Sequence, residues 1–162
     1  MFIKKFLFVT LVFWSFAGCA KQEYTKQESV FIVFKTSVFR YADLGFMYEN
    51  TDEIKVDIYS NGQTAMKLEI KKRNICISSF ECLDKKSFNK KVLSEYYPSD
   101  ILSHILRGEN IFFGKDIVKI RNGFTQKIFK KDKYNISYIV LNKQIIFRDT
   151  INDILIKVKR LK

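Results

Sequence analysis

Polar and apolar positions alternate with a period of two in several segments of the chain. Residues 54–59 run Ile-Lys-Val-Asp-Ile-Tyr, and residues 64–70 alternate in the same way. Asn61-Gly62 lies between them, and this dipeptide favours a two-residue hairpin turn because both positions adopt positive φ. The pattern therefore predicts an antiparallel hairpin.

Further strands are predicted on both sides of this hairpin. Ser29–Phe39 is apolar and rich in β-branched and aromatic residues. In the last third of the chain a second Asn-Gly dipeptide, Asn122-Gly123, separates two more apolar segments. The strands predicted there are Ile117–Arg121, Phe124–Phe129, Tyr134–Leu141, Gln144–Asp149 and Ile154–Val158. Their close spacing is typical of an antiparallel meander.

Between the two groups of strands the apolar spacing becomes helical. Leu83–Tyr97 has this spacing and ends before Pro98. Ser99 is expected to cap a second helix, Asp100–Arg107, and Gly108 to end it in the left-handed conformation. The pattern predicts one α+β domain, in which a curved antiparallel sheet or incomplete β-barrel of about ten strands carries two helices on its concave side.

Residues 1–18 are predicted to be a secretory signal peptide. Lys4 and Lys5 precede the apolar stretch Phe6–Phe16, which is too short to span a bilayer. The run 15–20, Ser-Phe-Ala-Gly-Cys-Ala, resembles the lipobox of bacterial lipoproteins, with Phe16 where Leu is commoner. This resemblance implies that Cys19 receives a diacylglycerol group and an N-acyl chain after cleavage. The alternative is an ordinary signal peptide with an incidental Cys.

Lipidation of Cys19 would define the remaining organisation. Residues 19–29 are expected to be the lipidated N-terminus and a polar tether, and residues 30–162 the folded domain. The residue after Cys19 is Ala20 and not the acidic residue that serves as a retention signal in enteric bacteria. Its absence favours the periplasmic face of the outer membrane over the inner membrane. Both locations stay open.

The chain is strongly basic, with a formal charge of +12 that falls to about +10 when Lys4 and Lys5 are removed. A secreted, membrane-anchored protein has little contact with nucleic acid, so we expect none to bind. Anionic lipid head groups or an acidic partner fit the charge better. The alternative explanation of the charge is an AT-rich coding sequence, which favours Lys codons and would leave a basic surface that is merely solvated.

Few residues indicate chemistry. Cys76 and Cys82 are either a structural disulfide or two free thiols, and without nearby His they make a poor zinc site. His104 is the only His and is expected to pack at the rim of its helix. No nucleophile elbow, phosphate loop or zinc-protease motif occurs. We therefore expect no enzymatic activity, no metal and no cofactor except the lipid on Cys19.

Residues 94–108, Ser-Glu-Tyr-Tyr-Pro-Ser-Asp-Ile-Leu-Ser-His-Ile-Leu-Arg-Gly, resemble part of the LolB family, outer-membrane lipoproteins that receive other lipoproteins from the periplasmic carrier LolA. The similarity lies in a helix, a Pro, a Leu-rich second helix and a closing Arg-Gly. Residues 58–68, with their Gly-containing turn, and the closing segments Phe147-Arg-Asp149 and Ile154–Val158 are also similar. The resemblance covers roughly Val33–Lys159.

The resemblance implies an incomplete barrel around an apolar cavity that holds acyl chains of lipoprotein cargo. It also implies a LolA-like donor, and we expect a monomer. The expected lining residues are Phe31, Val33, Val56, Ile58, Met66, Leu68, Ile101, Leu102, Ile105 and Leu106. Residues of opposite parity are the alternative lining, because a one-residue shift exchanges the two faces of a strand. The structural alternative is a closed core without a cavity. The alternative function is that of a structural or assembly lipoprotein that acts through protein contacts.

One feature departs from the family. LolB-type proteins carry an exposed Leu on the loop that corresponds to residues 60–63, here Ser-Asn-Gly-Gln. We therefore do not expect this turn to enter a membrane. Leu44-Gly45-Phe46-Met47 is either a substitute apolar turn or a buried strand.

Overall fold

The computed structural model describes residues 23–78 and 81–161, without the side chain of Glu81. The predicted signal peptide, Cys19 and the first part of the tether lie outside these residues. Eleven strands are present in the described part: β1 Lys26–Lys35, β2 Arg40–Glu49, β3 Ile54–Ser60, β4 Gln63–Ile70, β5 Asn74–Ile77, β6 Glu81–Asp84, β7 Ile117–Ile120, β8 Gly123–Lys130, β9 Tyr134–Leu141, β10 Gln144–Asp149 and β11 Ile154–Arg160.

All eleven strands belong to one antiparallel sheet that does not close. The order across the sheet is β6-β5-β4-β3-β2-β1-β11-β10-β9-β8-β7, so β6 and β7 are its two edges. Two meanders, β1–β6 and β7–β11, join where β11 pairs with β1. The α+β class and the open, curved antiparallel sheet are therefore confirmed.

Both predicted hairpins are present, and their turns have the expected positive φ angles. Asn61 and Gly62 both have positive φ, 52° and 78°, and connect β3 with β4 as expected. Asn122 (φ 65°) lies in the turn between β7 and β8. Strand β1 begins at Lys26, so residues 26–29 belong to the sheet and not to the tether. The segment 44–47 is part of β2 and is not a turn.

Two short helices connect the meanders. Helix α1 spans Lys85–Val92 and ends five residues earlier than predicted, while α2 spans Ile101–Arg107. Asp84 caps α1 by accepting hydrogen bonds from the backbone N–H groups of Lys86 and Ser87. The expected cap at Ser99 is wrong, because Asp100 occupies the N-cap position of α2 and makes no side-chain cap bond. Gly108 (φ 74°) ends α2 in the left-handed conformation as predicted.

The core lies between one face of the sheet and the two helices. On β1 the even-numbered residues Val30, Ile32 and Phe34 are buried, and Phe88 of α1 and Leu102 of α2 belong to the same cluster. We call the face that carries these residues the inner face of the sheet and the opposite one the outer face. The helices therefore bury the inner face, and the outer face of these strands is left to solvent.

Candidate functional site

Eight of the ten predicted lining residues lie together in the core. Those on the sheet are at matching register positions, with Val56 opposite Leu68 and Ile58 opposite Met66. The apolar stripe of α2 packs into the same cluster. Each of the eight side chains is at most 2% exposed: Val56, Ile58, Met66, Leu68, Ile101, Leu102, Ile105 and Leu106. These residues fill the interior with their own side chains.

The placement of Phe31 and Val33 in that lining is corrected. Both point to the outer face, because the alternate positions Ile32 and Phe34 face the core. Phe31 is 39% exposed and lies opposite Leu44 in the register of β1 and β2. The sequence runs apolar through both parities of β1, so period two did not distinguish its faces.

An apolar cleft of about 230 Å³ opens beside α1, outside the filled interior. The turn between β1 and β2, strands β5 and β6, and the last part of α1 form its walls. Seven of its eight lining residues are apolar, and the eighth is Lys91: Val38, Phe39, Ile75, Ile77, Leu83, Phe88, Lys91 and Val92. We call this opening the apolar cleft. It is smaller than the 300–1,000 Å³ of typical small-molecule pockets, so it suits the end of one acyl chain.

The apolar cleft was not predicted from the sequence. The helical spacing of Phe88 and Val92 was a usable signal, because it placed both on one face of α1. The contribution of Val38 and Phe39 could not be seen, since it depends on how the β1–β2 turn folds. There the Thr36 hydroxyl accepts hydrogen bonds from the N–H groups of Val38 and Phe39, which fixes the turn.

A disulfide joins the two strands behind the apolar cleft. Cys76 and Cys82 lie directly opposite each other in the register of β5 and β6, and their sulfurs are bonded. Of the two alternatives left by the sequence, the structure has the bridge. Ile75, Ile77 and Leu83, which adjoin the cysteines in sequence, all line the cleft. The bridge therefore holds together the two strands that form this wall.

A second cleft, of about 560 Å³, lies at the start of α1 and is polar. Its lining residues are Thr51, Asp52, Lys72, Lys85, Asp100, Ser103, His104, Arg107 and Glu109. We call it the polar cleft. Arg107 donates to the Glu49 carboxylate at 2.9 Å and to the Asn50 carbonyl at 2.8 Å. Lys85 pairs with Asp100. Arg107 thus fastens α2 to the end of β2 and the loop that follows it, and Lys85 fastens the start of α1 to the start of α2.

A buried polar cluster fastens the loop between the helices to β10. The Tyr97 hydroxyl donates to the carboxylate of Asp149, which is 1% exposed. The same carboxylate accepts hydrogen bonds from the N–H groups of Asn135 and Ile151, both at 3.0 Å. Burial, followed by this hydrogen bond, raises the pKa of Tyr97 well above its ordinary value. The proton stays on the phenol, so the cluster is a structural clamp.

His104 is one of the residues that line the polar cleft. Its Nδ1 is 3.2 Å from the Asn110 carbonyl, and its Nε2 is 3.9 Å from the Glu109 carboxylate. Within residues 23–78 and 81–161, no group of three or more His, Cys, Asp or Glu side chains is placed to hold a metal ion. The arrangement of the described residues offers apolar binding beside α1 and ion pairs at its other end.

Comparison of the chain with protein-family models and with curated proteins found no match. Neither helix in the described part of the chain has the length and apolar character needed to cross a membrane. Function is therefore inferred from the two clefts and from the sequence features of the N-terminus.

Proposed function

We propose that the protein is a lipid-anchored lipoprotein acceptor of the LolB type, held at the periplasmic face of the outer membrane by acyl chains on Cys19. It binds an acyl chain of a lipoprotein, presented by a LolA-like carrier, and passes it to the membrane without a catalytic step. The observation that carries this proposal is the apolar cleft between α1 and the open sheet.

The energetics of the apolar cleft suit reversible binding. Each buried methylene contributes about 0.8 kcal/mol, so a chain end of four or five methylenes gains roughly 3–4 kcal/mol. Accommodating a longer portion requires the buried side chains of α1, such as Phe88 and Val92, to move. The acceptor then binds acyl chains less strongly than a bilayer does, which allows release.

The positions of cleft and anchor also suit an acceptor. Strand β1 begins at Lys26, next to the tether, and ends at Lys35, next to the turn that carries Val38 and Phe39. Ten extended residues span about 30 Å, so the apolar cleft lies at the end of β1 away from the anchor. The cleft is therefore not obstructed by the point of attachment, and a carrier can reach it from the periplasm.

A charge in the apolar cleft tests this function. Phe39→Glu places a carboxylate at the half-buried wall of the cleft, and Ser103→Glu places the same group in the polar cleft as the matched control. We expect Phe39→Glu to weaken binding of an acylated peptide by roughly tenfold or more, because ionised groups are costly to bury against acyl chains. Ser103→Glu should leave that binding unchanged. The measurement is titration of a fluorescent acylated peptide with the lipidated protein in detergent.

The filled interior favours a second candidate, a structural or assembly lipoprotein that acts through protein contacts. Equal peptide binding by both variants, or no binding by the unaltered protein, would favour this candidate. Depletion in cells separates the two as well. An acceptor's loss leaves other lipoproteins in the periplasm bound to their carrier, whereas a structural role leaves their sorting normal.

A further inference from the structure

The outer face of β1–β3 carries a continuous row of aromatic rings near the start of β1. The ring centroids of Tyr24 and Tyr48 are 5.6 Å apart, those of Tyr48 and Phe46 6.4 Å, and those of Phe46 and Tyr59 5.9 Å. Contacts at these separations are typical of packed aromatic pairs. The four rings therefore form one surface rather than scattered exposed residues.

Two more apolar side chains extend this row along β1 and β2. Phe31 and Leu44 are register partners, and Phe46 follows Leu44 two residues along the same face. Their exposed fractions are 39% for Phe31, 54% for Leu44 and 37% for Phe46. We call the six residues Tyr24, Phe31, Leu44, Phe46, Tyr48 and Tyr59 the aromatic patch. Contiguous exposed apolar surface of this kind marks an interaction site.

Lysines border the aromatic patch on two sides. The ammonium of Lys55 lies 4.7 Å from the ring centroid of Tyr48. On the other side, Lys159 is the register partner of Phe31, and Lys157 is the partner of Val33. The acidic side chains Asp57 and Glu69 on β3 and β4 are paired with lysines of those strands or of the turn that follows. The border of the patch along β11 is therefore positive, which suits an anionic surface.

The covalent chain limits how far the patch can lie from the anchor. Tyr24 is five positions after Cys19 in the sequence. Even a fully extended chain of this length spans at most about 18 Å. A lipid on Cys19 therefore keeps Tyr24, and the ring row that begins there, close to the membrane surface.

We propose that the aromatic patch is a membrane-docking face, which lies against the anionic lipid head groups of the leaflet that holds the acyl chains of Cys19. The inference rests on the lipidation included in the proposed function. Aromatic rings favour the interface between water and hydrocarbon, and nearby lysines add attraction to anionic heads. Docking by this face orients the domain relative to the bilayer, which a flexible tether alone does not do.

A single tryptophan reports this contact. The only Trp of the chain, Trp14, is in the predicted signal peptide, so the mature lipoprotein has no Trp of its own. Phe46→Trp places a probe in the aromatic patch. Ile139→Trp is the matched control, since Ile139 of β9 lies on the same outer face, four strands away in the sheet order β2-β1-β11-β10-β9. Both mature, lipidated proteins are reconstituted into vesicles of phosphatidylethanolamine and phosphatidylglycerol with brominated acyl chains.

Bromine should quench the Phe46→Trp fluorescence at least about twofold more than that of Ile139→Trp, because the interface brings the indole close to the acyl chains. Replacing phosphatidylglycerol by phosphatidylcholine should reduce this difference. Equal quenching at both positions would overturn the proposal, and would leave the patch as a surface for a protein partner.

The mass of each protein and its peptide binding are measured in parallel. A protein without acyl groups on Cys19 contradicts the anchor of the proposed function. A lipidated protein that binds acylated peptide but shows equal quenching contradicts only the docking face. Circular dichroism of both variants shows whether the substitutions preserve the sheet.

Discussion

The two ends of α1 border clefts of opposite character. At its start the polar cleft is larger, but two of the basic residues that line it are paired with carboxylates of the fold, Arg107 with Glu49 and Lys85 with Asp100. At its end the apolar cleft is less than half that volume, and only Lys91 among its lining residues is charged. The larger cleft is therefore a poor guide to function here. Charged groups that are paired within the fold are less available to bind a charged ligand. Apolar side chains that line an open cleft remain available to bind an apolar ligand.

Removing the ion pair of the polar cleft should have the largest effect on stability and little on binding. In Arg107→Ala the Glu49 carboxylate loses its guanidinium partner, and the side chains of both residues are only 17% exposed. We expect the free energy of unfolding to fall by about 2–3 kcal/mol, since a largely buried carboxylate is left without its cation. Urea unfolding measures this change, and acyl-peptide binding of the folded variant should be unaltered.

Lys85→Ala is the matched control in the same cleft. Its partner Asp100 is 55% exposed, so the change in unfolding free energy should stay within about 0.5–1 kcal/mol. A loss of acyl-peptide binding in the folded Arg107→Ala variant would contradict the division of roles between the clefts.

Breaking the disulfide should affect stability and binding together, because the bridge lies behind the apolar cleft. Replacing Cys76 and Cys82 by Ala opens a loop with a sequence separation of 6 residues. The entropy of such a short loop corresponds to about 2 kcal/mol of stability. The affinity for acylated peptide should fall severalfold, since Ile75, Ile77 and Leu83 are no longer held by the bridge. Unchanged affinity for acylated peptide in a destabilised variant would show that the walls of the apolar cleft do not depend on the disulfide.

The clamp at Tyr97 should have the smallest effect at neutral pH and a distinct effect in alkali. Tyr97→Phe removes one hydrogen bond to Asp149, whose carboxylate keeps its other donors, so we expect a cost of about 1 kcal/mol. The folded-state pKa of Tyr97 is raised above the ordinary value near 10. The contribution of the Tyr97 phenol to the free energy of unfolding is therefore complete below about pH 9. It is lost as the pH rises through the ordinary value and above it, because the phenol then ionises in the unfolded chain but not in the fold.

The measurement for this clamp is urea unfolding as a function of pH. The difference between the unaltered protein and Tyr97→Phe should be constant below about pH 9 and should shrink above pH 10. A difference that stays constant up to pH 11 would contradict the sign of the shift.

Local signals in the sequence predicted much of the fold. Asn61-Gly62 and Gly108 have the positive φ that their residue types favour, and both end their elements where expected. The wrong predictions arose where the sequence pattern is ambiguous. Apolar residues of both parities in β1 concealed that Phe31 faces outward. Leu93 continued the helical spacing, although α1 ends at Val92.

The candidate site was harder to predict than the fold. Residues of α2 and β3–β4 were correctly placed together, but their packing fills the interior that they were expected to enclose. The apolar cleft depends on the meeting of Phe39, Ile77 and Phe88, which lie on three separate elements. Periodicity within each segment carries no information about the space left between segments.

The pairing of β1 with β11 also has a consequence for how the protein reaches its folded state. Val30 lies opposite Arg160, and the Leu161 N–H donates to the Ser29 carbonyl at 2.9 Å. Strand β1 therefore completes its pairing only once β11 is available, which for the exported chain proposed above means after β11 has left the export channel. Until then the two meanders lack the seam that joins them, and β1 has an open edge. If the protein is exported as proposed, this unpaired edge is exposed to periplasmic proteases and chaperones until β11 arrives.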